Sequence, residues 1–398
     1  MADERGAALL RGGVSSPRAT FLELFFDLVF VFALTRVSQR VIDDLDSPRR
    51  ELLVEIAQTL VIFLAFWMIW TLTAWVTSQY EPERPEIQLV VIGSMLGCMV
   101  MAVATPRAFA ERAVAFALGY VAVQVGRPLF ITLALGRHPR RRVTVRVVAW
   151  AMMSAVPWLL GVLLPGPWRL ACWALAVAVD YVGLMSGWPV PRLGASRAST
   201  WGVVGEHLAE RYQQFFLIAL GENILVIGLS FSGQSFSRAS SGAFLISFVI
   251  TGLFWRIYFH RAGHLLTEAI RVSRSPGRLG ESASWTHLVI VAGVLMTAVG
   301  YELAIVHPHQ RVELAWAVFL VGGPAVFLTA RARFEHEIFG RVSRSRIIGV
   351  LVLVALVPVV TLVSTVVALA GAAVVLAAIT VADFRRAYGR PAEHPTPR

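Results

Sequence analysis

Twelve apolar stretches, each long enough to cross a lipid bilayer as a helix, constrain this chain more than any other feature. Within lipid the backbone must satisfy its own hydrogen bonds, so stretches of this kind fold as helices. The chain of 398 residues is 57% hydrophobic and 15% charged, which excludes a soluble enzyme with a single core. We predict an all-α polytopic membrane protein with about twelve spans, near residues 21–42, 52–78, 86–105, 113–135, 147–164, 169–187, 212–232, 241–259, 285–306, 313–330, 346–365 and 367–383.

The basic residues of the chain report its orientation. The formal net charge is +11, and all 36 basic residues are arginine. The N-terminal arm, alternate loops and the C-terminal tail hold 25 of them, against 7 in the intervening loops. Loops rich in arginine stay on the cytoplasmic side. Both termini are therefore predicted to be cytoplasmic, and the positive charge does not indicate a nucleic-acid partner.

Neither the cysteines nor the histidines indicate a metal centre. Cys98 and Cys172 lie inside apolar stretches, with no spacing typical of a disulfide framework or a metal site. His207 and Glu210 have the helical spacing of a metal-ligand pair, but capping and salt bridges explain two such residues more often. We therefore predict no metal and no cofactor.

The twelve stretches form two similar sets of six. VGRPLFIT at 125–132 resembles VGGPAVFL at 321–328, and Phe66-Trp67 resembles Phe254-Trp255. Because six is even, both sets enter the membrane from the same side, as parallel repeats do. We predict a cytoplasmic arm over 1–20, with an uncleaved first span from residue 21, a first half over 21–190, a cytoplasmic linker over 191–211, a second half over 212–384 and a cytoplasmic tail over 385–398.

Ionisable side chains inside a span are costly and usually face the protein interior or an aqueous cavity. Glu23 and Asp27 are four residues apart, so they share one face of the first helix. Two close carboxylates favour a shared proton, which suits a relay or a general acid. We expect Asp27 to be buried, whereas Glu23 is expected at the cytoplasmic interface, in contact with water.

Arg127 is the candidate cation of the first half. Its spacing from Tyr120 and Gln124 places all three on one face of the fourth helix. A buried guanidinium needs a carboxylate, and Asp27 is our first choice of partner. A structural ion pair and a substrate-binding role remain equally open for Arg127. The corresponding residue of the second half is Gly323, so the two halves differ chemically.

Glu222 is the candidate acid of the second half, because Gly221 lets another helix approach it closely. We predict Asp27, Glu222 and Glu23 as proton donors or relays. The other candidates are predicted to bind substrate, with aromatic faces available to a cationic ligand or a carbocation; for several of them, core packing or structural hydrogen bonding is the alternative. They are Arg127, Tyr120, Gln124, Trp67, Trp70, Asp180, Glu210, His287 and Glu302.

Three blocks of sequence resemble the bacterial low temperature requirement A family. They are ELFFDLVFVFA at 23–33, HLAER at 207–211 together with IALGE at 218–222, and THL at 286–288 continuing through Gly293 and Gly300 to Glu302. Asn223 departs from the family, which more often has serine there. The resemblance implies a polytopic inner-membrane protein, without a biochemical activity common to the family.

Three functions remain open from the sequence. The first is proton- or cation-coupled transport, or a channel, with buried carboxylates at the interface of the two halves. The second is an intramembrane enzyme acting on a lipid or isoprenoid, for example by protonation-initiated terpene cyclisation with a buried Asp or Glu as general acid. The third is a structural or sensory role without turnover. The predicted partners are membrane lipids and a substrate that is an ion or an apolar small molecule; the sequence sets no oligomeric state.

Overall fold

All twelve predicted stretches lie on long helices in the computed structural model, which describes residues 7, 9–11, 18–45, 49–196, 205–259, 264–273, 276–388 and 394–396. Most of the predicted N-terminal arm and residues 197–204 of the predicted linker lie outside the described residues. The helices are α1 (Phe21–Leu45), α2 (Arg49–Gln79), α3 (Pro85–Ala104), α4 (Ala113–Ala134), α5 (Arg141–Leu163), α6 (Gly166–Ser186), α7 (Gly205–Ser232), α8 (Arg238–Tyr258), α9 (His264–Val272), α10 (Pro276–Val306), α11 (Leu314–Phe339), α12 (Arg344–Val359) and α13 (Thr365–Ala387).

Eleven helices of the described chain, α2–α8 and α10–α13, are long and apolar enough to cross a membrane. The 25-residue α1 is not among them, because Glu23, Asp27, Arg36 and Arg40 interrupt its apolar residues. Large apolar side chains point outward along the helices, among them Leu96 and Leu163. An outer surface of this kind is typical of a protein surrounded by lipid.

Helix ends follow the local sequence. Pro85 lies at the first position of α3, where proline fits because no backbone N–H is needed. Ser237 caps α8 by accepting a hydrogen bond from the backbone N–H of Ser240 at 3.0 Å. Gly187 and Gly340 end α6 and α11 with φ of 78° and 64°, a backbone conformation that glycine adopts without strain.

The chain divides into two compact units, Met1–Arg211 and Tyr212–Arg398. In unit 1, α1 packs on α2 and α3, contacts then run from α3 through α4 and α5 to α6, and α6 packs on α2. Aromatic rings fill the space between α4, α5 and α6, where Trp158 lies 4.5 Å from Tyr120 and 4.9 Å from Trp173, between ring centroids. This packing encloses the α4 residues that the sequence singled out.

Unit 2 is built mainly around α10, which packs along α11 and also contacts α8 and α13. A π-helical segment, Val318–Gly322, interrupts α11 just before Gly323 and Pro324. A Cβ atom on Gly323 would lie 2.7 Å from the backbone nitrogen of Thr297 on α10. The two helices therefore approach closely at a position where no larger side chain fits.

Several predicted boundaries were wrong, among them the start of α10, at Pro276 and not near residue 285, and the end of α11, at Phe339 and not near residue 330. The seventh helix begins at Gly205, not at residue 212, so part of the predicted linker is helical. The break between the last two spans falls before Thr365, not between residues 365 and 367 as the predicted spans have it. Tertiary hydrogen bonds place that break: Val363 accepts a backbone hydrogen bond from Val312 at 3.1 Å, and the Thr365 hydroxyl donates to the carbonyl of His307 at 2.5 Å.

Candidate functional site

Asp27 forms a fully buried ion pair with Arg211 inside unit 1. The guanidinium donates to both carboxylate oxygens, at 2.6 and 2.7 Å, and Trp70 Nε1 donates to Oδ1 at 3.0 Å. Asp27 is 0% and Arg211 0% exposed. Two-point contact of this kind is the strongest geometry available to such a pair. The prediction that Asp27 pairs with Arg127 is wrong, because Arg211 occupies both carboxylate oxygens.

Glu23 lies one helical turn before Asp27 and is also buried, at 1% exposed. His207 Nε2 lies 3.1 Å from its carboxylate, and Nδ1 of the same ring lies 2.9 Å from Ser78 Oγ. The backbone N–H and the hydroxyl of Thr20 both donate to the Glu23 carboxylate, at 2.8 and 3.0 Å. The expectation that Glu23 contacts water was wrong, because Thr20 and His207 replace that water.

The sequence carries a signal for these contacts that we did not use. Glu23 and Asp27 are four positions apart in the sequence, and so are His207 and Arg211. Matching spacings on two helices allow two pairs to form side by side. His207 and Arg211 are therefore residues that sequence reasoning could have paired with α1.

A second polar group of unit 1 surrounds Asp180, which is 7% exposed. The hydroxyls of Tyr120 and Ser154 both donate to Asp180 Oδ2 at 2.7 Å. Gln124 Nε2 donates to the hydroxyl of Tyr120 at 3.2 Å, and Arg127 Nη2 donates to Gln124 Oε1 at 2.5 Å. The donors thus run in one direction, from the guanidinium of Arg127 to the carboxylate of Asp180.

Within the described part of the chain, the guanidinium of Arg127 has only neutral hydrogen-bond acceptors. Besides Gln124, its guanidinium donates to Thr73 Oγ1 at 2.8 Å and to the carbonyl of Ile69 at 3.1 Å. Among the described residues no carboxylate lies within 4.0 Å of it, although the side chain is only 5% exposed. The charge of Arg127 is therefore balanced over a distance, by Asp180 at the other end of the hydrogen-bonded chain.

Arg127 also lines a cavity of about 250 Å³, here called the Arg127 cavity, where α2 and α4 end and α5 begins. Arg140, Tyr80 and Gln79 contribute further polar groups to its wall. Burial raises the pKa of Tyr80 to about 12, against the opposing effect of Arg140, so its hydroxyl stays protonated. The remaining lining residues are Leu72, Trp75, Val76, Ile131, Val143, Thr144, Val147 and Ser196.

An apolar groove of about 530 Å³ lies between α3 and α4, and Arg127 lines it too. Small residues, including Gly93, Gly97 and Gly119, line it together with outward-facing side chains such as Leu96. Its walls are almost entirely hydrocarbon. The groove can therefore hold an apolar chain, and Arg127 is among its lining residues.

The candidates of unit 2 lie in separate surroundings. Glu222 is buried, and Asn223, with its amide nitrogen facing the acid, donates to Glu222 Oε2 at 3.2 Å. His287 lies 2.7 Å from the hydroxyl of Tyr258 and 2.6 Å from the carbonyl of Ala283. Glu302 is only half-buried.

Unit 2 also contains a group of charged residues that the sequence analysis did not single out. A cavity of about 20 Å³ is lined by Arg331, Arg346, Arg386, Glu335 and Asp383, with Phe339 and Ser343. Arg346 Nη2 donates to Asp383 Oδ2 at 2.6 Å, and Arg346 Nε lies 3.8 Å from Glu335 Oε2. Arg331 donates to the carbonyl of Ile257 at 3.0 Å. Three arginines and two carboxylates thus meet in a nearly filled space.

Trp67 and Glu210, the two predicted site residues not yet described, are buried to different extents. Trp67 is buried with its ring centroid 5.2 Å from that of Trp70. Glu210 is half-buried on α7. In unit 1 the structure therefore brings Tyr120, Gln124, Arg127 and Asp180 into one chain, and Asp27, Glu23 and Trp70 into another group.

Many apolar helices with large apolar side chains on their outer surface define a multi-pass integral membrane protein. Residues 18–381 match the model of the bacterial low temperature requirement A protein family. The chain belongs to this family. It is also 34% identical over 359 residues to an uncharacterized protein of Rhizobium meliloti (strain 1021), an alignment that covers 89% of this chain and 86% of the relative.

Proposed function

We propose that the protein is a proton-coupled transporter of the bacterial inner membrane, with both termini in the cytoplasm and Asp180 as the proton-carrying group. The observation that carries this proposal is the chain of hydrogen bonds from Asp180 through Tyr120 and Gln124 to Arg127. It runs inside unit 1 and reaches a cavity large enough for a small solute. A buried carboxylate connected to such a cavity is typical of proton relays in transporters.

Asp180 suits this role better than Asp27. An aspartate held by a guanidinium at two oxygens stays ionised, because protonation would leave a buried arginine without its counter-charge. Asp180 has two hydroxyl donors on Oδ2 and no arginine within ion-pair distance among the described residues. Its proton can therefore be gained or lost without breaking an ion pair. Asp27 and Glu23 serve the packing of α1 instead.

The experiment compares two aspartate-to-asparagine variants in proteoliposomes. Asp180→Asn removes the proposed carrier, and Asp43→Asn changes an exposed acid of α1 as the matched control. An internal pH dye follows the decay of an imposed pH gradient, with potassium, phosphate or succinate added one at a time.

We expect at least one solute to accelerate the decay with wild type and Asp43→Asn, and none to do so with Asp180→Asn. Thermal unfolding of the purified variants shows that each is folded. The proposal fails if wild type never exceeds protein-free liposomes, or if Asp180→Asn matches wild type.

The apolar groove supports a second candidate, an enzyme acting on a lipid or isoprenoid. Arg127 is among the residues that line the groove, so an apolar substrate lying in it can place its polar end beside the polar chain. Mass spectrometry of lipids from cells that express wild type or Asp180→Asn separates this candidate from transport. A lipid product that requires wild type favours the enzyme, and identical lipid profiles reject it.

A further inference from the structure

The Arg127 cavity presents positive charge with no carboxylate in its described lining. Arg127 faces it from α4 and Arg140 from the segment before α5. Neither guanidinium has a carboxylate within 4.0 Å in the described part of the chain. The hydroxyl of Tyr80 and the amide of Gln79 add neutral hydrogen-bond donors to the same wall. Guanidinium groups with hydroxyl and amide donors are the ligands that phosphate and carboxylate groups prefer.

The hydrogen-bonded chain links this positive charge to Asp180. Every donor in the chain points toward Asp180, so the chain joins a cation at the cavity to an anion at its far end. While Asp180 is ionised, it offsets the charge of Arg127. Protonation of Asp180 removes that offset and leaves the cavity with a net positive charge, which favours an anion.

We propose that the Arg127 cavity binds the anionic group of a ligand, a phosphate or a carboxylate, and that binding is accompanied by uptake of one proton on Asp180. For a singly charged anionic group, the proton and the anion together add no net charge to the interior of unit 1. This assignment rests on the proposed function only in naming the anion as the transported solute. The binding site itself stands on the cavity and its two arginines.

Few other groups near Asp180 can take up or release a proton when the ligand binds. The titratable and charged groups that face Asp180 are Tyr120 and Arg127 on α4, with Tyr181 beside it on α6. From α5 the contact is the hydroxyl of Ser154, and α2 contributes the carbonyl of Leu64, which accepts a hydrogen bond from Tyr181 at 3.0 Å. Tyr120 and Tyr181 are ordinarily neutral and Arg127 ordinarily charged near neutral pH. Asp180 is therefore the group whose protonation can change with the ligand.

The anion has two sources with the same chemistry, a soluble anion or the head group of a lipid-like molecule. Arg127 lines both the Arg127 cavity and the apolar groove. A soluble anion would use the cavity alone, whereas a fatty acid would also place its chain in the groove. Separate probes distinguish these sources.

Binding is measured on the purified full-length chain in detergent, by isothermal titration with inorganic phosphate, succinate and oleate between pH 5 and pH 8. One linked proton weakens binding by up to about tenfold for each pH unit of increase. We expect at least one probe to bind with this dependence. Asp180→Asn, which mimics the protonated acid, is expected to bind the same probe and to keep only the pH dependence that comes from ionisation of the probe itself.

The arginine variants test the location of the site. Arg140→Gln, at the cavity wall, and Arg127→Met are expected to weaken binding at least tenfold, whereas Arg137→Gln, an exposed arginine outside the cavity lining, leaves it unchanged. If Arg127→Met does not fold, Arg140→Gln carries the test. Binding of oleate alone assigns the site to a lipid-like anion, and binding of phosphate or succinate assigns it to a soluble one.

The inference is overturned if none of the three probes binds, or if binding is equal in wild type, Arg127→Met and Arg140→Gln. It is also overturned if Asp180→Asn retains the pH dependence of wild type. Proton flux in proteoliposomes without binding would leave the proposed transport intact and reject this site. Binding without flux would keep the site and reject the transport.

Discussion

Each unit contains a buried arginine beside a cavity, and the two cavities differ in how their charge is balanced. In unit 2, Arg331 lies with Arg346 and Arg386 in a space of about 20 Å³ that also holds the carboxylates of Glu335 and Asp383. In unit 1, Arg127 and Arg140 line a space of about 250 Å³ without a carboxylate in its described lining. Where fixed carboxylates balance the arginines the space is nearly filled, and where they are absent it is open.

The two segments that resemble each other in sequence, residues 125–128 and 321–324, also differ in how open their surroundings are. Residues 125–128 belong to a regular part of α4 that projects Arg127 between α2 and the groove, and a Cβ atom on Gly126 would meet nothing within 4 Å. Residues 321–324 span the end of the π-helical segment Val318–Gly322, and Gly323 packs closely against Thr297. The segment with arginine at this position thus lies beside an open space, and the segment with glycine lies in a close helix contact.

The largest effect is expected from breaking the charge balance of unit 2. Asp383→Ala removes a partner of Arg346 and leaves its guanidinium buried, which costs about 3–5 kcal/mol of unfolding free energy. Arg127→Met removes three hydrogen bonds to neutral acceptors, and Asp180, at the far end of the chain, can take up a proton, so the change should cost about 1–2 kcal/mol. Chemical unfolding in detergent measures both.

A double variant serves as the control for this prediction. Arg346→Met with Asp383→Leu removes both charges together, and replacing a whole buried ion pair by apolar residues is often neutral. It should therefore recover much of the stability that Asp383→Ala loses. Equal losses for Asp383→Ala and Arg127→Met would remove the distinction between the two units.

A smaller effect is expected from adding one methyl group to each matching segment. Gly323→Ala forces α10 and α11 apart, because the new carbon would lie 2.7 Å from Thr297 N, and overpacking of this kind costs about 1–3 kcal/mol. Gly126→Ala enters open space and should be neutral or slightly stabilising, since alanine is the better helix former. Thermal unfolding compares the two, and a larger loss for Gly126→Ala would contradict the contrast.

The smallest effect concerns Asp44 in unit 1, whose contact with Arg40 is longer than the contact of Asp383 with Arg346, 3.6 Å against 2.6 Å. Burial raises the pKa of Asp44 from 3.8 to about 6; Arg40 opposes the shift, and Glu55 and Asp43 increase it. The folded chain therefore favours protonated Asp44. Its stabilising contribution is complete below pH 3.8 and is lost as the pH rises through 6.

Asp44→Asn should accordingly show a smaller fall in unfolding temperature between pH 5 and pH 7.5 than wild type does. Asp43→Asn, an exposed neighbour that adds a minor part of the shift, should keep most of the fall seen in wild type. An identical pH dependence in all three chains would show that Asp44 is not the titrating group.

Several site residues could be recognised from the sequence, whereas their partners could not. The helical spacing of Tyr120, Gln124 and Arg127 predicted a shared face of α4, and the three side chains do form consecutive hydrogen bonds. The ion pair of Arg127 with Asp27 was predicted on proximity within one half and was wrong. Partners on different helices depend on which helices pack together, and hydrophobic periodicity does not report that.

The number and length of the apolar stretches determined by themselves that this chain is a helical membrane protein, because a backbone in lipid must satisfy its own hydrogen bonds. Tertiary structure alone decided that Arg211 pairs with Asp27 and that Arg127 faces a cavity instead. Both arginines are equally costly to bury. Only the three-dimensional arrangement of the helices determines whether a carboxylate lies within reach of each one.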